Sequence, residues 1–317
     1  MKTMKPLQNS LLLAMMLLFA NVMLAQPNDN MPNNKNLNSN PLSGYQKTSN
    51  GLYYKLYTQS EGVQPQVGAL MDVSLSCMVN DTVVIVPNSE NTMQMFGSQF
   101  AGDLFEGLAM MHIGDSASFI VNIDSTFIKL FGSSKLPEGF NSTDVMRFEV
   151  RLVDCYPESE YPVRFNAKLK KETQKKVTQL KADYPNETEV AAQQLAEYLV
   201  SNKIKAEQTE SGLYYLRTQE GMGEKPKVGQ QVSVHYVGKL LDGTVFDSSY
   251  DRGKPFVVTI GVGQVIPGWD EGILLMSKGE KGVLYIPYYL AYGERAAGDE
   301  IVPFSNLIFE VELIDFQ

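Results

Sequence analysis

The feature that most constrains how this chain can fold is that it repeats itself. Gly-Leu-Tyr-Tyr at 51–54 returns at 212–215, and Val-Gly at 67–68 returns at 228–229. Phe-Glu-Val-Arg-Leu-Val-Asp at 148–154 answers Phe-Glu-Val-Glu-Leu-Ile-Asp at 309–315. These three pairs stand 161 residues apart, whereas Glu-Gly-Leu-Ala-Met-Met at 106–111 and Glu-Gly-Ile-Leu-Leu-Met at 271–276 stand 165 apart. A repeat of that length means one domain built twice. The changed separation requires a first-copy loop shorter by four ahead of the shared helix and one longer by four behind it. Loops absorb such changes and strands do not. The 317 residues suffice for two cores.

The second copy carries the clearer chemistry. Val232, Val234 and Tyr236 alternate, as do Val283 and Tyr285, and then Leu307, Phe309, Val311 and Leu313; period-two burial predicts strands. Pro267 and Gly268 open a helix on which Trp269, Ile273 and Met276 fall at i, i+4 and i+7. The domain reads as strands at 213–219 and 230–241, a broken strand at 245–247 and 256–260, and a helix at 268–276. A strand at 281–286, an irregular flap at 287–303 and a last strand at 306–315 follow. One short helix laid across an antiparallel sheet, with aromatics filling the gap, leaves a small apolar pocket. Asp247 sits among those aromatics, and an acid there is costly to desolvate unless it is paired or functional.

Six motifs in this stretch resemble the FKBP-type peptidyl-prolyl cis-trans isomerases. They are Val-His-Tyr-Val-Gly (234–238), Asp-Gly-Thr-Val-Phe-Asp-Ser-Ser (242–249), Arg-Gly-Lys-Pro-Phe (252–256), Gln-Val-Ile-Pro-Gly-Trp-Asp-Glu-Gly (264–272), Leu-Ala-Tyr-Gly (290–293) and Leu-Ile-Phe-Glu-Val-Glu-Leu (307–313). The resemblance covers 211–317. It implies an α+β fold in two FKBP-like domains, each an antiparallel five-stranded sheet wrapped on a short helix. It also implies an exported bacterial two-domain member of the family that speeds isomerisation of Xaa-Pro bonds. Trp269 would be the floor for the proline ring, and Tyr236, Phe246, Phe256, Val265, Ile266 and Phe309 the walls, with Ile301 on the flap side. Asp247 would face the amide, Tyr292 would offer a hydroxyl donor, the Ile266 N–H would anchor the substrate chain, and Arg252 would hold Asp247. Such a reaction needs no nucleophile, metal or cofactor. The flap reads Ile301-Val302-Pro303-Phe304 where the family has Ile-Pro-Pro. The alternative is a non-catalytic chaperone or client-binding module on the same fold.

The first copy, 50–156, keeps the framework and loses the site. By the two separations Tyr236 corresponds to Leu75, Asp247 to Val86, Trp269 to Leu104 and Tyr292 to Phe127. Met71, Met78, Met93, Met95, Met110 and Met111 leave open a client-binding surface there, since methionine suits promiscuous contacts. Residues 157–210 predict a helical connector. Phe165, Leu169, Val177, Leu180 and Tyr184 form one face up to Pro185, and Asn186 with Glu189 resembles a capping box before a second face of Ala191, Leu195, Tyr198 and Leu199. The lysine cluster from Lys168 to Lys176 reads as a solvated helix face. Helical extensions in the family serve dimerisation, so a homodimer is the assembly to test for, although here the helices lie between domains.

Residues 1–25 read as a signal peptide, with Lys2 and Lys5 before an apolar run from Leu11 to Leu24, and Ala25 before the cut. Residues 26–49, rich in Asn and Pro, read as a flexible tether. Export to a periplasm or the exterior, with no membrane span left after cleavage, is the expected destination. The mature chain has 25 basic and 36 acidic residues, a formal charge of −11, against −9 for the whole chain. That acidity argues against nucleic acid as a partner; proline-containing folding polypeptides are the partners the resemblance implies. Cys77 and Cys155 could pair in an exported protein. In the family's fold, however, their strands are antiparallel neighbours and both lie near C-terminal ends, which favours two unpaired thiols. His235 neighbours Tyr236 on an alternating strand and faces away from the pocket; it and His112 are read as non-catalytic.

Overall fold

The computed structural model describes residues 42–317. The expected leader, and the expected tether as far as residue 41, lie outside the described residues. The chain divides between Ser159 and Glu160 into two compact units. Among the described residues no helix is long and apolar enough to cross a membrane.

The first unit is a sheet of β1 (Gln46–Lys47), β2 (Tyr53–Thr58), β3 (Leu70–Val79), β4 (Val83–Gln94), β5 (Ser116–Asn122) and β6 (Val145–Tyr156). The order is β1-β2-β5-β6-β3-β4. In the second unit β7 (Glu207–Gln208), β8 (Tyr214–Gln219), β9 (Gln231–Leu240), β10 (Val245–Ser248), β12 (Lys281–Ile286) and β13 (Leu307–Phe316) are ordered β10-β9-β13-β12-β8-β7, and β11 (Phe256–Thr259) also pairs with β9. All pairings are antiparallel. The expected five strands are thus joined by a two-residue edge strand in each copy. Gln46 and Lys47 belong to what the sequence suggests is tether; backbone pairing with Tyr54 and Tyr53 brings them into the sheet.

The repeat is kept strand by strand. β3 and β9 coincide at 161 residues, as do β2 and β8, while β5 and β12 start 165 apart. In each unit the concave face of the sheet closes on one short helix, Leu104–Leu108 or Pro267–Gly272. Both helices carry a glycine against the sheet. A methyl group on Gly107 would stand 2.6 Å from the Phe119 ring, and one on Gly272 would stand 2.6 Å from Leu284. Each unit also buries an acid at the turn entering its central strand. Asp115 accepts from the backbone of Ser60 and His112, and Glu280 from Ser277 N–H, the Tyr215 hydroxyl and Arg217. Burial raises both carboxyls, but these donors outweigh it and hold each below its ordinary range.

The chain between the domains forms two helices, Tyr161–Asp183 and Pro185–Ser201, which belong to the second unit. Leu195 and Leu199 cover Tyr285 and Ile308 on the outer face of the sheet. The expected capping box is absent: Pro185 takes the first helical position, where its missing N–H costs nothing, and Asn186 lies inside the helix. Cys77 stands opposite Phe148 and Cys155 opposite Met71 on the β3–β6 pair, so about 20 Å of strand separates the cysteines. That excludes a bond between them. Four of the six methionines proposed as a surface, Met71, Met93, Met95 and Met111, are buried in the first core. They are packing residues, and a methionine-rich docking face is not present.

Glycine to alanine inside a helix ordinarily stabilises by about 1 kcal/mol. At Gly107 and Gly272 the sign should reverse. Each alanine should destabilise its unit by about 1–3 kcal/mol, as overpacking does, because Phe119 and Leu284 are themselves fully buried. Urea unfolding followed by circular dichroism checks this.

Candidate functional site

In the second unit the helix Pro267–Gly272 presents Trp269 upward into the mouth of the half-closed sheet. The indole meets three rings nearly edge-on, Tyr236 at 5.0 Å, Phe309 at 5.2 Å and Phe256 at 6.1 Å between centroids. Phe246 packs edge-on against Phe309 at 5.5 Å. These T-shaped contacts suit the ring quadrupoles and fix each ring's plane. The result is a cavity of about 340 Å³, lined by Tyr236, Phe246, Asp247, Phe256, Val265, Ile266, Trp269, Tyr292, Ile301 and Phe309 together with Ala297, Gly298 and Glu300. The ten residues expected at the pocket are brought together, and the eleventh, Arg252, lies behind the wall on Asp247.

Asp247 is the polar centre. It leaves β10 at a register shift opposite Gly238. Its carboxylate accepts from the Tyr236 hydroxyl and is ion-paired with Arg252, whose other nitrogen donates to the Tyr236 oxygen at 2.7 Å. Burial works to raise the Asp247 carboxyl, but these two donors overcome it and the group is held below the usual carboxylate range. The same contacts act oppositely on Tyr236: burial, then its bond to Asp247, pushes its hydroxyl up to about 12. Tyr292 is also raised, by burial and then by the Asp247 charge, so it stays a donor. The pocket therefore holds a fixed anion and neutral phenols across the physiological pH range.

The loop that ends in Ile266 is fastened by a residue sequence reasoning missed. Asp270, in the first turn of the helix, accepts from Gly261 N–H and Gly263 N–H, each at 2.7 Å. Its carboxyl is raised, since burial outweighs those two bonds. An acid directly after the tryptophan was the available signal, but only the fold shows which amides it meets. The indole nitrogen of Trp269 is buried with no acceptor among the described residues, so the ring is held by packing alone. On the flap, Ala297 and Ile301 form an antiparallel bridge. Ala297, Gly298 and Glu300 line the cavity beside Ile301, three residues the sequence reading did not include. Phe304, at φ 63°, packs on Tyr184 and Tyr288 at 5.2 and 5.4 Å. His235 faces away, stacked on Tyr250 and 2.9 Å from Ser249 Oγ.

In the first unit the residues at the corresponding positions are buried. Where Gly238 lets Phe246 and Phe309 close to 2.7 and 2.9 Å of its absent side chain, the first copy has Cys77. Cys77, Leu75, Ile85, Val86, Leu104 and Phe148 stand in place of Gly238, Tyr236, Phe246, Asp247, Trp269 and Phe309, and all six are buried. The four-residue shortening falls between Val86 and Asn91. There β4 runs on continuously, whereas the second copy makes the loop that carries Arg252. An acid at position 86 would have no arginine to meet.

Residues 223–314 match the family profile described as FKBP-type peptidyl-prolyl cis-trans isomerase. The chain is 52% identical over 120 residues to the FKBP-type 22 kDa peptidyl-prolyl cis-trans isomerase of Escherichia coli, covering 37% of this chain and 57% of that protein. It is 42% identical over 146 residues to the probable FKBP-type peptidyl-prolyl cis-trans isomerase FkpA of Neisseria meningitidis, covering 46% and 52% respectively. To an FK506-binding protein of Neisseria meningitidis it is 53% identical over 96 residues, 30% of this chain and 88% of that one. The chain thus spans little more than half the length of the first two relatives.

The contrast between the copies gives a stability test. Val86→Asp places a carboxylate in a closed apolar core without a partner, and should cost about 3 kcal/mol or more of first-unit stability. Asp247→Val, at a half-exposed position, should cost about 1 kcal/mol or less. Paired urea melts of the two variants measure the difference.

Proposed function

The chain belongs to the FKBP-type peptidyl-prolyl cis-trans isomerases, and on that premise we propose that the Trp269 pocket accelerates Xaa-Pro isomerisation in exported polypeptides. The barrier to be lowered is about 18–20 kcal/mol and arises from amide resonance. The cis and trans states before proline differ by only about 0.5–1 kcal/mol, so a catalyst need supply rate alone. The planar amide is more polar than the twisted one, and an aromatic-walled cavity that displaces its water favours the twist. In this reading the proline ring lies on Trp269, the Ile266 N–H holds the substrate backbone, and Tyr292 donates to a carbonyl as it rotates. Asp247, kept charged and in place by Arg252 and Tyr236, faces the amide from the other side. Groups arranged for the rotated amide rather than the planar one lower the barrier by differential binding.

The observation that carries this reading is the pairing of an aromatic floor with a carboxylate fixed by two donors. The buried aliphatic side chains that stand in the first unit for Tyr236, Asp247 and Trp269 support a framework role for it, with catalysis confined to the second. The apolar leader supports export to a periplasm or the exterior, and proline-containing chains in the course of folding are the substrates this chemistry fits. A chaperone contribution and a homodimer remain within the same proposal as properties to be measured on the full-length protein.

A chymotrypsin-coupled assay with a Xaa-Pro tetrapeptide tests the assignment. Asp247→Val and Trp269→Leu should each lower kcat/KM by about tenfold or more, with the far-ultraviolet circular dichroism unchanged. Wild-type turnover in both variants would place the site elsewhere.

The pH profile is a separate test of mechanism. The Asp247 carboxyl is depressed, so it takes up a proton only below its ordinary value of about 3.9. Tyr292 is raised, so it loses its proton only above about 10. kcat/KM should therefore be level from about pH 6 to 9 and fall only below about pH 4 or above about pH 10. A bell-shaped profile centred on neutrality would exclude the mechanism.

A further inference from the structure

A second, larger opening adjoins the pocket. The long helix Tyr161–Asp183 is fastened to its unit near both ends, and between them Leu169 lies 3.2 Å from where a side chain on Gly263 would begin. At the N-terminal end the buried Asn166 donates to the Gly261 carbonyl at 2.7 Å, and Pro162 lies where a side chain on Gly229 would be. At the other end Val177 enters the core, Lys181 sits 3.8 Å above the Tyr289 ring and Tyr184 packs on Phe304. A groove of about 1260 Å³ is lined by this chain from Asn166 to Tyr184, and the stretch from Asn166 to Val177 alone is about 16 Å long. Leu169 and Thr173 face it from the helix, only partly buried.

We propose that this groove is an extended-chain subsite, which binds the residues flanking the proline of a polypeptide substrate. The inference rests on the isomerase reading of the adjoining pocket. Three observations point to this occupant. Val265 and Tyr292 line both openings, so a chain seated on Trp269 has a continuous path into the groove. The stretch between Asn166 and Val177 by itself fits about five residues of extended chain at about 3.3 Å each. Its walls carry both signs of charge, Lys170 and Lys176 from the helix and Glu210 and Glu294 from the domain, among apolar residues that include Leu169 on the helix and Leu290 on the domain. Mixed charge among apolar residues suits the varied side chains of a peptide, whereas nucleic acid or an anionic lipid surface requires one sign. The helices between the domains thereby take part in substrate selection as well as linking.

The test uses the full-length protein and two substrates with the same Xaa-Pro core. One is the tetrapeptide, and the other extends it by about five residues on each side, the length the groove accepts. The wild type should favour the longer peptide by about tenfold in kcat/KM, and the gain should fall in KM, as for binding that is equal in ground and transition states. Thr173→Trp, which fills the groove, should bring the ratio close to one. Gln174→Trp, at a more exposed position of the same turn, should lower it in the same direction if Thr173→Trp fails to fold. A wild-type ratio near one, or a ratio unaltered in folded variants, would overturn the subsite while leaving the pocket assignment intact. If the tetrapeptide itself is not turned over, the isomerase reading fails and the subsite falls with it.

Discussion

Each unit depends on how closely one short helix can approach its sheet. Gly107 and Gly272 set that distance, because any side chain there would enter a buried ring or leucine. With the helix drawn in, the concave face is short of volume, and what fills the remainder decides what the unit can do. In the first unit aliphatic side chains and Cys77 fill it. In the second, Gly238 clears a space that Phe246 and Phe309 flank, and Trp269 is left with one face open. The two cores share one strand order and differ in the side chains and the loop at this place, buried aliphatics in the first and the aromatic-lined cavity in the second.

An acid at the rim of an apolar pocket needs a charge partner, and the partner here comes from a loop only the second copy has. Four additional residues turn what is one continuous strand in the first unit into β10, a loop and β11 in the second. Arg252 lies in that loop, within reach of both Asp247 and Tyr236. The pairing is half-exposed, so its worth to stability is small. Its consequence is positional, since it fixes an anion and a phenol at the place where an amide would enter.

The helices before the second domain work on the same site from outside. Asn306 donates to the Ala191 carbonyl at 2.7 Å, Thr188 is hydrogen-bonded to Tyr288, and Tyr184 supports Phe304 at the base of the flap. Phe304 follows the Ile301-Val302-Pro303 segment, and its left-handed backbone is held where it packs on Tyr184 at the helix junction and on Tyr288.

Much of this was legible in the sequence. The separations of 161 and 165 residues placed two copies of one fold, period-two alternation located the strands, and the motifs around Asp247 and Trp269 identified the pocket residues that the structure brings together. Local order along the chain determines such features, because burial on one face of a strand or helix is written as periodicity. The edge strand Gln46–Lys47, the start of the second connector helix at Pro185, the burial of the methionines, the amides met by Asp270 and the flap residues Glu300 and Gly298 were not legible. The burial of the methionines and the placing of the flap residues depend on contacts between segments distant in sequence, and the other three turn on near neighbours whose pairing no burial periodicity records. The groove beneath the long helix belongs with them. The sequence by itself determined that a helix would form there; only the tertiary structure decided that it is held at Asn166, Leu169 and Val177 and leaves a groove along its side, since that follows from where its anchoring partners lie.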